Sequence, residues 1–307
     1  MSSISLNDLS NRREVYYWLY ITGSLLFIFM ALLWWNKASV DPASVFWGTV
    51  RNSMSTTGVT LHIDEGSTSA KDSQAIQYSL GTTNQVHSTR TVTQGTTVVK
   101  TESVGDAKST YTRYTGIKAS QKTASGKTAD FSKVMNVWAI PSSDTSSTQL
   151  LPQVALGLAL PLGAVPMPIG YTTPTQREAI VKAMQSRSLY QVSFTNKAVK
   201  KETKNGRLLY TYSVSMQPEL YITIMKMFAK DVGVKDLENV DASQYASSSS
   251  VTVALTIDAH AQQLVKVENT TQGYAETYTG YGVPVNVSMP KNPISYAELQ
   301  KRLQALQ

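Results

Sequence analysis

VHSTRTVTQGTTVVKTESV, residues 86–104, is the stretch that decides the fold. Val and Thr dominate it, and its pattern has a period of two, the spacing of a strand whose successive side chains point to opposite faces. Gly95 separates two such runs as a turn residue. The same period holds on either side, in GVTLHID from Gly58, AIQYSL from Ala75 and STYTRYTGIK from Ser109. Gly81 and Gly105-Asp106 punctuate these runs. Residues 58–118 therefore read as a meander of antiparallel strands, with Val and Tyr on one face and Ser, Thr and Lys on the other.

Upstream, Asp41-Pro42 reads as a helix start, with Asp as N-cap and Pro in the first turn. A helix over 43–54 would bury Val45, Phe46, Thr49 and Val50. Downstream, 131–140 is apolar and fits either strand or helix. Thr173-Pro174 starts another helix, carrying Ala179, Ile180 and Ala183. Runs from Tyr190 and from Leu208 read as strands joined at Asn205-Gly206, a hairpin signal. Pro218 opens a helix whose Leu220, Ile224, Met227 and Phe228 would face inward. Strands follow over 251–257, 264–267, 274–278 and 283–289, and residues 295–306 form a closing amphipathic helix. The order is that of an α+β protein: one large antiparallel sheet with helices on one face.

Ahead of this domain, residues 15–35 hold twenty-one residues without a charge. As a helix they reach about 32 Å, enough for a bilayer core of about 30 Å. Tyr16, Tyr17, Trp18 and Tyr20 crowd one end and Trp34 and Trp35 the other, as in the aromatic belts at membrane interfaces. The run exceeds a signal-peptide core and ends in Trp-Trp, so an uncleaved transmembrane helix is expected. Arg12 and Arg13 precede it and Lys37 follows. The positive-inside rule then makes 1–14 a short cytoplasmic tail, 36–41 a stalk and 42–307 an extracytoplasmic domain at the cell membrane.

Composition narrows the functions. Charged residues are 16% of the 307, against about 25% in soluble proteins; Ser and Thr fill the polar positions, which suits strands with one wet face. There is no cysteine, so no disulfide, thiolate zinc site or lipid-modified cysteine forms. The net charge is +7, and the chain beyond Lys37 carries +6 of it. Such a domain, tethered at a membrane, is drawn to anionic headgroups or acidic cell-wall polymers. Its lysines are scattered, which argues against nucleic acid. His62, His87 and His260 show no metal-ligand spacing, and no nucleophile elbow, P-loop or dinucleotide fingerprint occurs. Neither catalysis, a metal nor a cofactor is expected. Tyr210 with Tyr212, and Tyr274, Tyr278 and Tyr281, read as strand residues at the wet edge of the sheet or as the polar rim of an apolar pocket.

Residues 150–169, LLPQVALGLALPLGAVPMPI, carry no charge. Pro152, Pro161, Pro166 and Pro168 argue against a second spanning helix. Three readings stand: a loop covering the sheet, a flap over an apolar cavity, or a segment dipping into the membrane surface.

Several pieces together resemble the LolA/LppX-like lipoprotein carriers. Ile257-Asp258, a turn and Leu264-Val265-Lys266-Val267 are similar to their Asp-turn-apolar-Lys-Val hairpin. Tyr278 through Pro290, with Tyr281-Gly282-Val283-Pro284-Val285, looks like their closing strand, and Gly206-Arg207-Leu208-Leu209-Tyr210 like their Gly-to-Tyr strand. The chain's last part, from Ile294-Ser295, is similar to anchored proteins of small-genome bacteria such as the Saccharibacteria. The resemblance implies an incomplete β-barrel wrapped on helices, with an apolar cavity for acyl chains and no catalysis. This chain departs from that family in its spanning helix and in the inserted 150–169. The expected function is binding of a lipid or lipopeptide at the membrane. Leu156, Leu160, Val165, Met167 and Ile169 would line the cavity, with Met225 and Phe228 beneath. The alternative is an envelope sensor or assembly subunit whose domain binds a protein partner.

Overall fold

A computed structural model describes residues 17, 20–32, 40–66, 70–81, 84–106, 109–119, 129–140, 167–232, 239–269, 274–283 and 285–306. A helical stretch, α1 (20–32), precedes α2 (Pro42–Ser53). Six strands follow: β1 (Gly58–Gly66), β2 (Ala70–Ser79), β3 (Gln85–Gln94), β4 (Thr97–Asp106), β5 (Thr110–Lys118) and β6 (Ala139–Ile140). Then come α3 (Pro174–Ser186), β7 (Tyr190–Val192), β8 (Lys200–Lys204), β9 (Arg207–Met216) and α4 (Pro218–Asp231). A short 3-10 turn (Ala242–Tyr245) leads to β10 (Val251–Asp258), β11 (Gln263–Asn269), β12 (Tyr274–Thr279), β13 (Ile294–Ser295) and α5 (Tyr296–Gln304).

The strands form one open sheet, ordered β13-β6-β5-β4-β3-β2-β1-β12-β11-β10-β9-β7, with β8 pairing the other half of β9. Every pair is antiparallel except β13 with β6. The chain builds β1 to β5 by successive hairpins, leaves for the helices, and returns with β12 beside β1, so the meander of 58–118 becomes half of a larger sheet. Alternation then sorts the faces. Val59, Leu61, Ile76, Tyr78, Val86, Tyr210, Tyr212, Val214, Leu255, Ile257, Val267 and Tyr278 share the buried face with residues of α2, α3 and α4.

Local chemistry explains the helices. The Asp41 carboxylate accepts from Ser44 N at 2.8 Å, and α2 buries the expected Val45, Phe46, Thr49 and Val50. Thr173 and Gln176 form a capping box on α3, whose buried residues are Ile180, Val181 and Met184. In α4 the buried face is Tyr221, Ile222, Ile224, Met225, Phe228 and Ala229. The expected stripe is thus turned slightly: Met227 stands on the half-exposed border and Met225 points inward. A smaller core, Val134, Ala139 and Leu299, joins β6 to α5 at the far edge of the sheet.

Two sequence expectations need correction. Asn205-Gly206 does turn a hairpin, with positive φ at both residues, but it joins β9 to β8 rather than to the run from Tyr190. Strand β8, Lys-Lys-Glu-Thr-Lys, was invisible to periodicity because all five residues are exposed. Residues 285–293 are irregular rather than a strand, since the prolines around them supply no ladder donor. Among the described residues no helix is long and apolar enough to cross a membrane. The expected span 15–35 is described only at Tyr17 and 20–32; Tyr16, Trp18, Trp34 and Trp35 lie outside the described residues.

Candidate functional site

Of the expected cavity lining, Leu156, Leu160 and Val165 lie outside the described residues. Met167, Met225 and Phe228 are fully buried in the main core, and Ile169 packs against it. The chain from Met167 is stitched along the end of α2. Ser53 Oγ donates to Pro168 O at 2.7 Å, Gly170 N to Ser53 O at 2.9 Å, and Thr172 N to Met54 O at 2.9 Å. Gly170 sits against the Phe228 ring so closely that a Cβ there would lie 2.6 Å from its Cζ. Met54, Met167, Met184, Met216 and Met225 are all buried in this one core. Methionine is unbranched and adaptable, so this interior yields to a change of contents more readily than one of Val and Ile.

Of the tyrosines expected at a wet edge, Tyr210, Tyr212 and Tyr278 are buried. Tyr210 and Tyr212 are fully buried, two positions apart on β9. Their hydroxyls reach across to the chain where it meets α2: Tyr210 donates to Val40 O and Tyr212 to Pro42 O, each at 2.9 Å. The Tyr212 ring packs with Phe46, Phe194 and the Tyr210 ring. Further along the same face, Tyr278 donates to the buried carboxylate of Glu276. Burial, and then the charge of Glu276, pushes the Tyr78 and Tyr221 hydroxyls above the ordinary phenol range. Both therefore stay protonated beside that carboxylate. Glu276 stands in register with Ile63 and Val267. Its inward parity with Tyr278 was readable in Tyr-Ala-Glu-Thr-Tyr-Thr, and it was the sequence signal for this cluster.

Across the opposite face runs a charged row. His87 meets Gln77 through Nδ1 and Glu102 through Nε2, each at 3.0 Å, and Arg113 donates to the other oxygen of Glu102 at 2.8 and 2.6 Å. The Arg113 guanidinium lies 4.5 Å over the Trp138 ring. Burial opposes ionisation of Glu102, but the bonds from Arg113 and His87 outweigh it and hold its carboxyl below the usual range. Both ring nitrogens of His87 are engaged, so the row braces β2 to β5 and offers no free base. Among the described residues no cluster of His, Asp and Glu is placed to hold a metal.

A cleft of about 240 Å³ lies at the end of α2, lined by Asn52, Ser55, Thr56, Thr57, Gln263, Tyr281 and Gly282. Asn52 Nδ2 donates to Gln262 O at 3.1 Å and Tyr281 Oη to Leu264 O at 2.9 Å, which fixes its walls. Hydroxyls and amides suit a small neutral polar group, not an acyl chain. Beside it, Asp258 organises the β10–β11 turn. Its carboxylate accepts from Ala261 N at 2.9 Å, His260 N at 3.1 Å and Arg207 Nε at 2.6 Å. An aspartate before that turn is thus a structural requirement of this chain.

The chain matches no family model and no curated protein.

Proposed function

We propose that this chain is a single-pass, membrane-anchored extracytoplasmic protein that binds an apolar ligand of the lipid or lipopeptide class through an incomplete barrel. The observation that carries the reading is the surface of α1. Leu25, Leu26, Phe27, Ile28, Phe29, Met30 and Leu32 are each more than half exposed. They cover every side of the helix. Each such side chain gains about 1.5–3 kcal/mol on leaving water, and a helix apolar all round belongs in a core or a bilayer. A helix over 15–35 extends this surface to spanning length. Arg12 and Arg13 place its leading end in the cytoplasm.

The open sheet with helices on one face is compatible with an incomplete barrel. The methionine-rich core beneath α4 supports an apolar ligand there, because it rearranges at low cost. A photoactivatable lipid in membranes holding the full chain tests this. Labelled peptides containing Met167, Met225 or Phe228, in addition to 15–35, support it. Labelling confined to 15–35 leaves an anchor with no lipid site and overturns it.

A further inference from the structure

The hairpin β8–β9 is the most basic part of the described surface. Lys197, Lys200, Lys201, Lys204 and Arg207 stand around it against one carboxylate, Glu202, and every residue from Lys200 to Arg207 is exposed. Val199 at its base and Leu208 next to its turn are buried in the core. Arg207 is neutralised by Asp258. Among the described residues no ion pair engages Lys197, Lys200, Lys201 or Lys204.

The position of this hairpin matters as much as its charge. Lys201 stands in register with Tyr210 and lies with its Nζ 4.9 Å over that ring. The Tyr210 hydroxyl in turn holds Val40 O at 2.9 Å. One tyrosine ring therefore separates Lys201 from the point where the chain joins the domain. From Trp35 to Val40 the chain spans at most about 18 Å. Lysines on an edge strand also discourage pairing with another chain. Either sign of charge achieves that, so it does not account for four cations on one hairpin, one of them a single ring from Val40.

We propose that the β8–β9 hairpin docks on the anionic headgroups of the bilayer that holds α1. The inference rests on the anchor reading and adds an orientation to it: the β9 edge of the sheet faces the membrane and the β6–β13 edge faces away. At about 1 kcal/mol per lysine near an anionic surface, neutralising three lysines lowers the docked-to-free ratio on the order of a hundredfold.

The absence of native cysteine makes the test clean. Full chain carrying Thr203→Cys, on β8, or Thr96→Cys, at the β3–β4 turn, is labelled with a fluorophore and reconstituted. The vesicles are phosphatidylcholine with or without phosphatidylserine, and carry headgroup-nitroxide quencher. The expected result is quenching at position 203 and not at 96, only with phosphatidylserine. It disappears in 1 M salt, where screening shortens to about 3 Å, and in the triple variant Lys197→Gln, Lys200→Gln, Lys204→Gln. Flotation of the same samples reports the anchor independently. Flotation without selective quenching at 203 overturns the docking and leaves the anchor standing. Quenching at 203 that ignores lipid charge and salt also overturns it. Failure to float removes the anchor and the docking together.

Discussion

Replacing Tyr212 or Tyr210 by Phe removes a single hydroxyl from the seam between β9 and the start of α2. The rings stay packed: that of Tyr212 lies 5.5 Å from Phe46 and 6.4 Å from Phe194. The loss is therefore confined to the hydrogen bonds. Pro42 is the first residue of α2, and its carbonyl also faces the helical N–H four residues on. Tyr212→Phe does not orphan it and is expected to cost about 1 kcal/mol. Val40 precedes the helix, and among the described residues only Tyr210 bonds its carbonyl. Tyr210→Phe leaves that oxygen half-buried and unpaired, and the expected cost rises to about 2 kcal/mol. Both bonds restrain the same three residues, so each single variant loosens the target of the other. The double variant is expected to cost less than the sum by about 0.5–1 kcal/mol. Urea unfolding of the detergent-solubilised full chain measures all three, and hydrogen exchange at Ser44 and Val45 reports fraying of α2. Single variants within about 0.3 kcal/mol of the parent, or a strictly additive double, would refute the coupling.

Three further outcomes are expected. Tyr78 carries a buried hydroxyl with no hydrogen-bond partner among the described residues, so Tyr78→Phe raises stability by up to about 1 kcal/mol; a lower Tm shows that this hydroxyl is satisfied in solution. Burial raises the hydroxyl pKa of Tyr78, Tyr190 and Tyr221 above the usual 10. Unfolded tyrosines ionise from there upward while the folded ones hold their protons. Stability is therefore intact below pH 10 and falls above it, by up to about 4 kcal/mol per pH unit for the three. Phenolate absorbance should show a late step coinciding with loss of near-ultraviolet circular dichroism, and a late step with the fold intact contradicts this. Burial opposes ionisation of Asp258, but Ala261 N, Arg207 and His260 N outweigh it and lower its pKa. Asp258→Asn is expected to cost about 2 kcal/mol at neutral pH. The difference shrinks as the pH falls from the ordinary aspartate range through the lowered folded pKa, and a pH-independent difference speaks against the charge as its origin.

The strands of 58–118 were legible because Val, Thr and Tyr recur along them between glycine-marked turns, although burial along β2 to β5 is only partial. Strand β8 was not, because nothing on it is buried and a period needs a buried side to appear. The helix starts at Pro42, Pro174 and Pro218 were written locally, in a proline at the first turn and, for two of them, a capping side chain. Long-range pairing is another matter. Alternation gave Tyr210 and Tyr212 a common face but no means of choosing between water and the core. Their choice depends on Val40 and Pro42, 170 positions away for each. The four lysines of the basic hairpin lie within residues 197–204, but the place of Lys201 over Tyr210 appears only when β8 folds back on β9. Inward orientation of Ile224 and Phe228 followed from helical spacing. The contact of Phe228 with Gly170 did not, since it needs the 167–172 segment laid along α2.

The two phenols that meet Val40 and Pro42 also define how the domain takes load. A pull on the chain ahead of Val40, whatever its source, reaches the Tyr210 bond before α2 and the Tyr212 bond at the first residue of α2. They hand the force to β9, a strand held by β10 on one side and by β7 and β8 on the other. The first mechanical failure is then a local release of 40–42, with the sheet registers and the main core intact.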